Sequence, residues 1–290
     1  MKILANKKIE RPKMKKISVM LAGLSPDPDK GKMARLVGQA IVGSQDMSLC
    51  PWGLSETSQS TMPVDGVSVQ LIPMGSFAKI TQIIARANFD LIVDFTLPTA
   101  VNANAELYCS LGIPFVMGTT GGDRKKLVLT VEKSAIPAVI ATNMAPPVVV
   151  FQEMIRFAAE NFPGALDGFK LTIEESHQAA KVDVSGTAVS LLGFFAALGM
   201  PLKKEDIIMV RDSQVQKEGL GIPDQHLGGH GYHDYEMFSS DGTVNLGFKH
   251  NVLGRNVYVD GTMKAIKFLA GHPNAQGRVF TMVDVLKWVK

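Results

Sequence analysis

The chain has 290 residues, 46% of them hydrophobic and 20% charged, with a formal net charge of +3. These values suit one large or two modest globular domains and exclude collagen, coiled-coil rods and long disordered tails. The positive charge gathers in Lys2, Lys7, Lys8, Arg11, Lys13, Lys15 and Lys16, a short basic arm and not a basic face, so no nucleic-acid partner is expected.

Near the start, Ile17 to Leu21 is a short apolar run leading to Gly23, then a Pro/Asp/Lys-rich loop, then an amphipathic stretch from Gly31 to Val42. That order reads as strand, loop, helix. The runs Met47 to Leu54 and Val67 to Ile72, the latter followed by a helical stretch Ala78 to Ala87, continue the alternation. So do Asp90 to Thr96, a helix after Pro98, Ile113 to Gly118, a helix from Arg124, and Ala138 to Ala141. Near-continuous apolar strands separated by helices predict a parallel sheet covered on both faces, a Rossmann-like doubly wound α/β fold.

After Pro146-Pro147 the pattern changes to a helix near Val148 to Asn161, a strand Lys170 to Glu175 and a helix from Gly186 to Leu198. Alternating stretches follow at Tyr232 to Phe238, Val244 to His250 and Asn256 to Asp260, with Asp241-Gly242 as a turn. This part reads as an α+β domain built on an open mixed sheet with helices on one side. The expected division is a dinucleotide-binding domain at 1–146 and a substrate and oligomerisation domain at 147–261. The helical tail, 262–290, is expected to return to the first.

Ligands of open α/β sheets bind beyond the carboxyl ends of the strands, where glycines let backbone N–H groups approach a phosphate at a helix N-terminus. Gly23 and Gly31 stand there, though their spacing is not G-x-G-x-x-G, with Lys32, Met33 and Arg35 opening the helix. The second strand ends at Ser55-Glu56-Thr57, where a ribose reader is placed: Glu56 can accept from a ribose hydroxyl, while Ser55 and Thr57 can bind a 2′-phosphate. Phe95-Thr96 and Gly118-Thr119-Thr120-Gly121 lie at equivalent strand ends and suit a nicotinamide carboxamide and ribose. NADPH or NADH is the expected cofactor, and no metal is expected.

The densest chemistry lies between Glu174 and Thr187, leaving a strand and entering a helix. Ser185-Gly186-Thr187 at a helix start offers backbone N–H groups and hydroxyls to a carboxylate. His177 and Lys181 can add protonated donors, so an anionic substrate receiving a proton after hydride transfer is expected.

The run Glu175-Ser176-His177-Gln178-Ala179-Ala180-Lys181-Val182-Asp183-Val184-Ser185-Gly186-Thr187-Ala188 resembles the dihydrodipicolinate reductase family. Asp94-Phe95-Thr96, Gly118-Thr119-Thr120-Gly121, Gly228-Gly229-His230 and Asp284-Val285-Leu286 extend the resemblance over nearly the whole chain. Gln178, where the common bacterial pattern has a second His, and His250-Asn251-Val252-Leu253-Gly254-Arg255 are similar to the plant-type branch. The first glycine loop departs from the family's compact form, with extra residues before Gly31 and Ala34 in place of a Gly.

The resemblance implies reduction of 4-hydroxy-tetrahydrodipicolinate to tetrahydrodipicolinate by NAD(P)H, in the diaminopimelate route to lysine. It implies His177 as proton donor and acceptor and Lys181 as a second proton donor that attracts the ring carboxylates. Thr142, Asn143 and Met144 would reach the nicotinamide, and the protein would be a homo-oligomer, dimer or tetramer. A non-catalytic dinucleotide or metabolite sensor and another NAD(P)-dependent reductase of a carboxylated substrate are the alternatives.

Two cysteines, Cys50 and Cys109, are too few for a disulfide scaffold and suit a reducing compartment. With no apolar stretch of signal or membrane-spanning length, and a beginning too short and Ser-poor for a transit peptide, the expected location is the cytoplasm, with no membrane partner. The plastid stroma is the alternative.

Overall fold

The computed structural model describes residues 15–56, 61–74, 77–84 and 86–288. Most of the basic arm, and Thr57 of the predicted ribose-reading segment, lie outside the described residues. Contacts group the chain into two units, one ending at Thr96 and one beginning at Leu97.

In the first unit the apolar runs form β1 (Ile17–Leu24), β2 (Met47–Ser55), β3 (Thr61–Val64), β4 (Val67–Pro73) and β5 (Leu91–Asp94). They lie in the order β5-β1-β2-β4-β3. β1 pairs in parallel with β2 and β5, and β2 with β4. Val19, Met20, Leu21, Ala22, Ile92 and Val93 are fully buried, as a sheet covered on both faces requires. The antiparallel strand β3, joined to β4 through Asp65 and Gly66, both with positive φ, was not visible in the apolar pattern because only every second residue of it is buried. Helices α1 (Lys32–Val42) and α2 (Phe77–Ile84) complete the unit. α1 buries Ala34, Val37, Gly38 and Ile41, one face at helical spacing.

The second unit continues with α3 (Val101–Ser110), β6 (Phe115–Met117), α4 (Arg124–Glu132), β7 (Ala138–Ile140), α5 (Pro146–Asn161), β8 (Lys170–Ser176), α6 (Gly186–Ala197), β9 (Ile208–Val210), β10 (His230–Phe238), β11 (Asn245–Leu253), α7 (Asn256–Ala270), β12 (Val279–Phe280) and α8 (Met282–Lys287). β6, β7 and β12 pair in parallel. A separate four-stranded sheet runs β11-β10-β8-β9, antiparallel except for the parallel β8–β9 pair. Leu171, Ile173, Tyr235 and Met237 of this sheet pack with Ile155 of α5 and Ala188, Leu191 and Phe195 of α6. Side chains of this size each contribute roughly 1.5–3 kcal/mol when fully withdrawn from water.

One expectation is corrected. Asn256 to Asp260 is the first turn of α7 and not a strand. Gly254, at φ +80°, ends β11. Val259, Thr262, Ala265, Ile266 and Leu269 then fall at helical spacing on the buried face of α7, so tertiary burial outweighs the local strand preference of Val257-Tyr258-Val259. The short strand β9 was also unforeseen, since Ile208 and Met209 are exposed.

Candidate active site

At the strand ends of the first unit, the predicted residues come together through the backbone. Gly23 ends β1 at φ +94°, and a β-carbon there would lie 2.3 Å from the Phe95 carbonyl oxygen. Gly31 caps α1 in the left-handed region at φ +60° with no side-chain cap. Its own β-carbon position is 2.6 Å from the Gly23 oxygen. Only glycine fits at either place. Ser55 is buried opposite Leu24, Glu56 is exposed, and Thr96 donates from its N–H and hydroxyl to Asp94 Oδ1 at 2.9 and 2.7 Å.

Two cations expected to face a phosphate are otherwise engaged. Arg35 Nη2 donates to the carbonyls of Ser25 and Asp27 at 2.7 and 3.1 Å, holding the long loop against the helix. Lys32 Nζ lies 3.2 Å from Asp29. The leading N–H groups of α1, those of Lys32 and Met33 included, have no intrahelical acceptor.

In the second unit a cavity of about 390 Å³ is lined by Thr120, Gly121, Arg124, Thr142, Asn143, Gln152, His177, Lys181, Ser185, Gly186, Thr187 and Ser190. It thus joins the Gly-Thr-Thr-Gly loop to the segment following β8. A β-carbon on Gly186 would meet no atom within 4 Å, so the start of α6 is open to the cavity. Ser185 is the N-cap residue, yet its side chain does not cap the helix. Ser185 Oγ is instead 2.7 Å from His233 Nε2. Asn143 Nδ2 donates to Thr187 Oγ1 at 3.3 Å, tying the segment after β7 to the helix start. Arg124 donates from Nη2 to the Thr119 carbonyl at 2.9 Å, while its Nη1 has no partner among the described residues.

Behind the cavity lies a buried polar network. Glu175, fully buried, accepts from His177 Nδ1 at 2.6 Å and from Arg211 Nη2 and Nη1 at 2.6 and 3.0 Å. The Ser185 N–H is a further donor at 3.2 Å. Burial alone would raise the Glu175 carboxyl, but the bonds from His177 and Arg211 outweigh it and hold it down at about 2. The carboxylate is therefore a fixed anion and not a proton carrier.

Three more histidines surround His177. Its ring centroid lies 5.3 Å from that of His233 and 6.5 Å from that of His230, and His250 stacks on His233 at 4.6 Å. Burial pushes all three below the usual imidazole range, His250 to about 4, with repulsion from His177 adding to the effect. His230 Nδ1 lies 3.2 Å from the His226 carbonyl, which can only accept, so His230 Nε2 accepts from the Ser176 hydroxyl at 2.8 Å. At neutral pH these three rings are uncharged, which leaves His177 as the ring with an anion at hand.

The family description for dihydrodipicolinate reductase, N-terminus, matches residues 17–144, and that for dihydrodipicolinate reductase, C-terminus, matches residues 147–286. The chain belongs to the dihydrodipicolinate reductase family. It is 39% identical over 276 residues to 4-hydroxy-tetrahydrodipicolinate reductase 2, chloroplastic, of Arabidopsis thaliana, covering 93% of this chain and 77% of the relative. It is 42% identical over 262 residues to probable 4-hydroxy-tetrahydrodipicolinate reductase 1, chloroplastic, of Oryza sativa subsp. japonica, covering 89% and 76%. The plant-type resemblance accords with both. The fold matches that of the dipicolinate-bound dihydrodipicolinate reductase from Paenisporosarcina sp. TG-14, with a TM-score of 0.64 and 17% identity over 93% of this chain and 98% of that one.

As a dihydrodipicolinate reductase the chain is an oxidoreductase of a family that uses NAD(P)H. Of the residues singled out in the sequence, Thr120, Thr142, Asn143, His177, Lys181, Ser185, Gly186 and Thr187 meet in one cavity. Gly118 and Thr119, which precede the lining residue Thr120, do not line it, Thr119 being buried. Met144 does not line it either: it is buried, with its carbonyl oxygen where a β-carbon on Gly261 would stand. Gly23, Gly31, Lys32, Met33, Ser55, Glu56, Phe95 and Thr96 belong to the first unit.

Sequence reasoning missed the Glu175–Arg211 pair, His233 and Arg124. Glu175 carried a signal, since a charged residue two positions before the histidine lies on the buried face of β8 together with Leu171 and Ile173. Arg211 carried none, because it arrives from the end of β9, a strand without an apolar pattern.

Proposed function

We propose that the chain reduces 4-hydroxy-tetrahydrodipicolinate to tetrahydrodipicolinate with NAD(P)H, the step of the diaminopimelate route to lysine, in the cavity between the Gly-Thr-Thr-Gly loop and the start of α6. The observation that carries this reading is the convergence of His177, Lys181, Arg124 and the open helix start on one cavity of about 390 Å³, a size suited to a small ring. Bound NAD(P)H supplies a hydride to the ring carbon from which water leaves.

The residues of the chain do the rest. Backbone N–H groups at Gly186 and Thr187 receive a ring carboxylate at the positive end of α6. Lys181 balances that charge; its ammonium has no ion-pair partner among the described residues. Arg124 brings a second cation, a guanidinium, to the same cavity for the other carboxylate. His177 presents Nε2, the nitrogen that Glu175 does not occupy, to give and take the proton, with Lys181 as second donor.

The first unit fits a dinucleotide. Gly31 caps α1 with backbone alone, leaving N–H groups for a pyrophosphate, and Glu56 and Ser55 stand where a ribose is read. The division at residues 146 and 147 is supported by the two family matches, one ending at residue 144 and the next beginning at 147, and the return of the C-terminal segment by the parallel pairing of β12 with β7. Homo-oligomerisation is supported by Phe238, Leu246 and Leu253, large apolar side chains exposed on β10 and β11.

The expected location remains the cytoplasm, with the plastid stroma as the alternative suggested by the chloroplastic relatives. Among the described residues no helix is long and apolar enough to cross a membrane. The deciding experiment supplies enzymatically generated substrate to the purified protein and follows oxidation of NADPH and NADH. Absence of turnover with both cofactors overturns the reading.

A further inference from the structure

We infer that Glu175, clamped by Arg211, is a positioning residue that holds His177 as its Nδ1–H tautomer, so that Nε2 is the nitrogen that exchanges a proton with the cavity. This deepens the proposed function and rests on its assignment of His177.

Three features make the clamp specific. First, Glu175 is fully buried and all its strong donors are fixed. His177 reaches Oε2 at 2.6 Å, Arg211 bridges both oxygens at 2.6 and 3.0 Å, and the Ser185 N–H reaches Oε1 at 3.2 Å. A carboxylate accepts only, so the proton between Glu175 and His177 belongs to Nδ1.

Second, the same guanidinium ties down the loop that carries Lys181. Arg211 Nε donates to the Lys181 carbonyl at 2.8 Å and Nη2 to the Asp183 carbonyl at 3.4 Å. The fully buried Gln216 donates to the His177 carbonyl at 2.8 Å. The positions of His177, Lys181 and the N-cap Ser185 are thereby set by one ion pair. Third, the other groups facing His177 do not compete for its Nδ1. His230 is engaged with Ser176 and His226, and His233 with Ser185, and burial keeps both rings uncharged at neutral pH.

A buried pair such as this is weak evidence for stabilisation, because desolvation offsets its attraction. Its use is orientation: a histidine whose far nitrogen is held by an anion keeps the correct tautomer through the reaction.

The test uses the full chain labelled with ¹⁵N-histidine, without substrate, at a pH where imidazole is neutral. The His177 signals are assigned by their loss in His177→Gln. In the wild-type protein Nδ1 is expected to carry the proton and Nε2 to be bare, and in Glu175→Gln an Nε2–H form is expected to appear. Glu175→Gln should also lower kcat by roughly 100-fold, the range of a correctly presented acid or base, while the affinity for pyridine-2,6-dicarboxylate stays within roughly threefold of wild type.

A wild-type His177 protonated at Nε2 overturns the inference, and this readout does not depend on any variant folding. So does a Glu175→Gln protein with an unchanged tautomer, whether its kcat is retained or falls together with inhibitor affinity. A fully active His177→Gln overturns the proposed role of His177 instead, leaving the tautomer result standing.

Discussion

The strand ends of the first unit and the end of β8 in the second place polar chemistry at the edge of a sheet by opposite means. At β1 and β5 the useful groups are backbone. Gly23 packs on the Phe95 carbonyl, Gly31 turns left-handed to open α1, and the nearby side chains Arg35 and Asp94 are spent on holding the loop and Thr96. At β8 the useful groups are side chains, with Glu175, His177 and Arg211 locked together and three uncharged histidine rings around them. A phosphate asks for N–H groups at close approach, which any β-carbon obstructs. Proton transfer asks for one titratable atom at a known place, which only a side chain can supply. The first region should therefore be sensitive to added atoms and the second to removed ones.

The largest effect tests the second half of that contrast. His177→Gln and Lys181→Ala should each lower kcat by roughly 100-fold or more, with dinucleotide affinity and thermal midpoint close to wild type. Steady-state kinetics beside a cofactor titration measures both, and near-normal turnover in the two variants would mean that neither side chain takes part in the reaction.

Next comes Gly186, where the second region borrows the device of the first. A β-carbon there meets nothing within 4 Å, so Gly186→Val leaves the fold intact and fills the space a carboxylate needs. Loss of one or two charge-assisted hydrogen bonds, about 1.5–3 kcal/mol each, should raise KM for the dicarboxylate by roughly tenfold or more. Inhibition by pyridine-2,6-dicarboxylate should weaken in parallel, and wild-type potency would place the carboxylate elsewhere.

The contrast also explains what could be read from the sequence. Most strands and helices in their succession along the chain, the Ser185-Gly186-Thr187 helix start, and His177 with Lys181 follow from local pattern, because each lies within one continuous stretch. Arg211 reaches Glu175 from 36 positions away and His233 reaches Ser185 from 48. Such partners are chosen by the antiparallel register of β8 and β10 and the parallel register of β8 and β9, which composition does not encode locally. Asn256 to Asp260 misled for the same reason: its alternation is local, and the burial that makes it helical is not.

Stability should divide along the same line. The Glu175 carboxyl lies at about 2 in the folded chain, against an ordinary value of 4.5. A depressed carboxyl contributes stability that is complete above its unfolded value and is lost as pH falls through the folded one. The contribution of Glu175 is thus full above about 4.5 and disappears towards about 2. Thermal midpoints across that range should show the wild-type protein losing its lead over Glu175→Gln as the pH falls. A lead that is independent of pH would mean that the carboxylate is not held by its charge.

In the first unit an added atom should cost more than a lost charge. Gly23→Ala places a β-carbon 2.3 Å from the Phe95 oxygen at a φ of +94°, and a strained backbone of this kind costs about 1–3 kcal/mol. Chemical denaturation should register that loss, and the variant should bind dinucleotide poorly. A variant as stable as wild type would mean that the β1 and β5 ends can separate without penalty.

Lys32→Ala is the smallest expected effect and the sharpest check on the backbone reading. The Lys32 ammonium lies 3.2 Å from Asp29, and both side chains are largely exposed at 44% and 88%, so the pair contributes little to the fold. The variant keeps the Lys32 N–H and the left-handed Gly31 that directs it. A phosphate at the start of α1 then loses only a solvated charge near a helix terminus, about 0.3–1 kcal/mol, which is roughly a two- to fivefold weaker Kd for NADPH. Because that charge faces water, added salt should erase the difference. A loss of 100-fold, persisting at high salt, would mean that the side chain and not the backbone holds the phosphate, and the distinction between the two regions would fail at its simplest point.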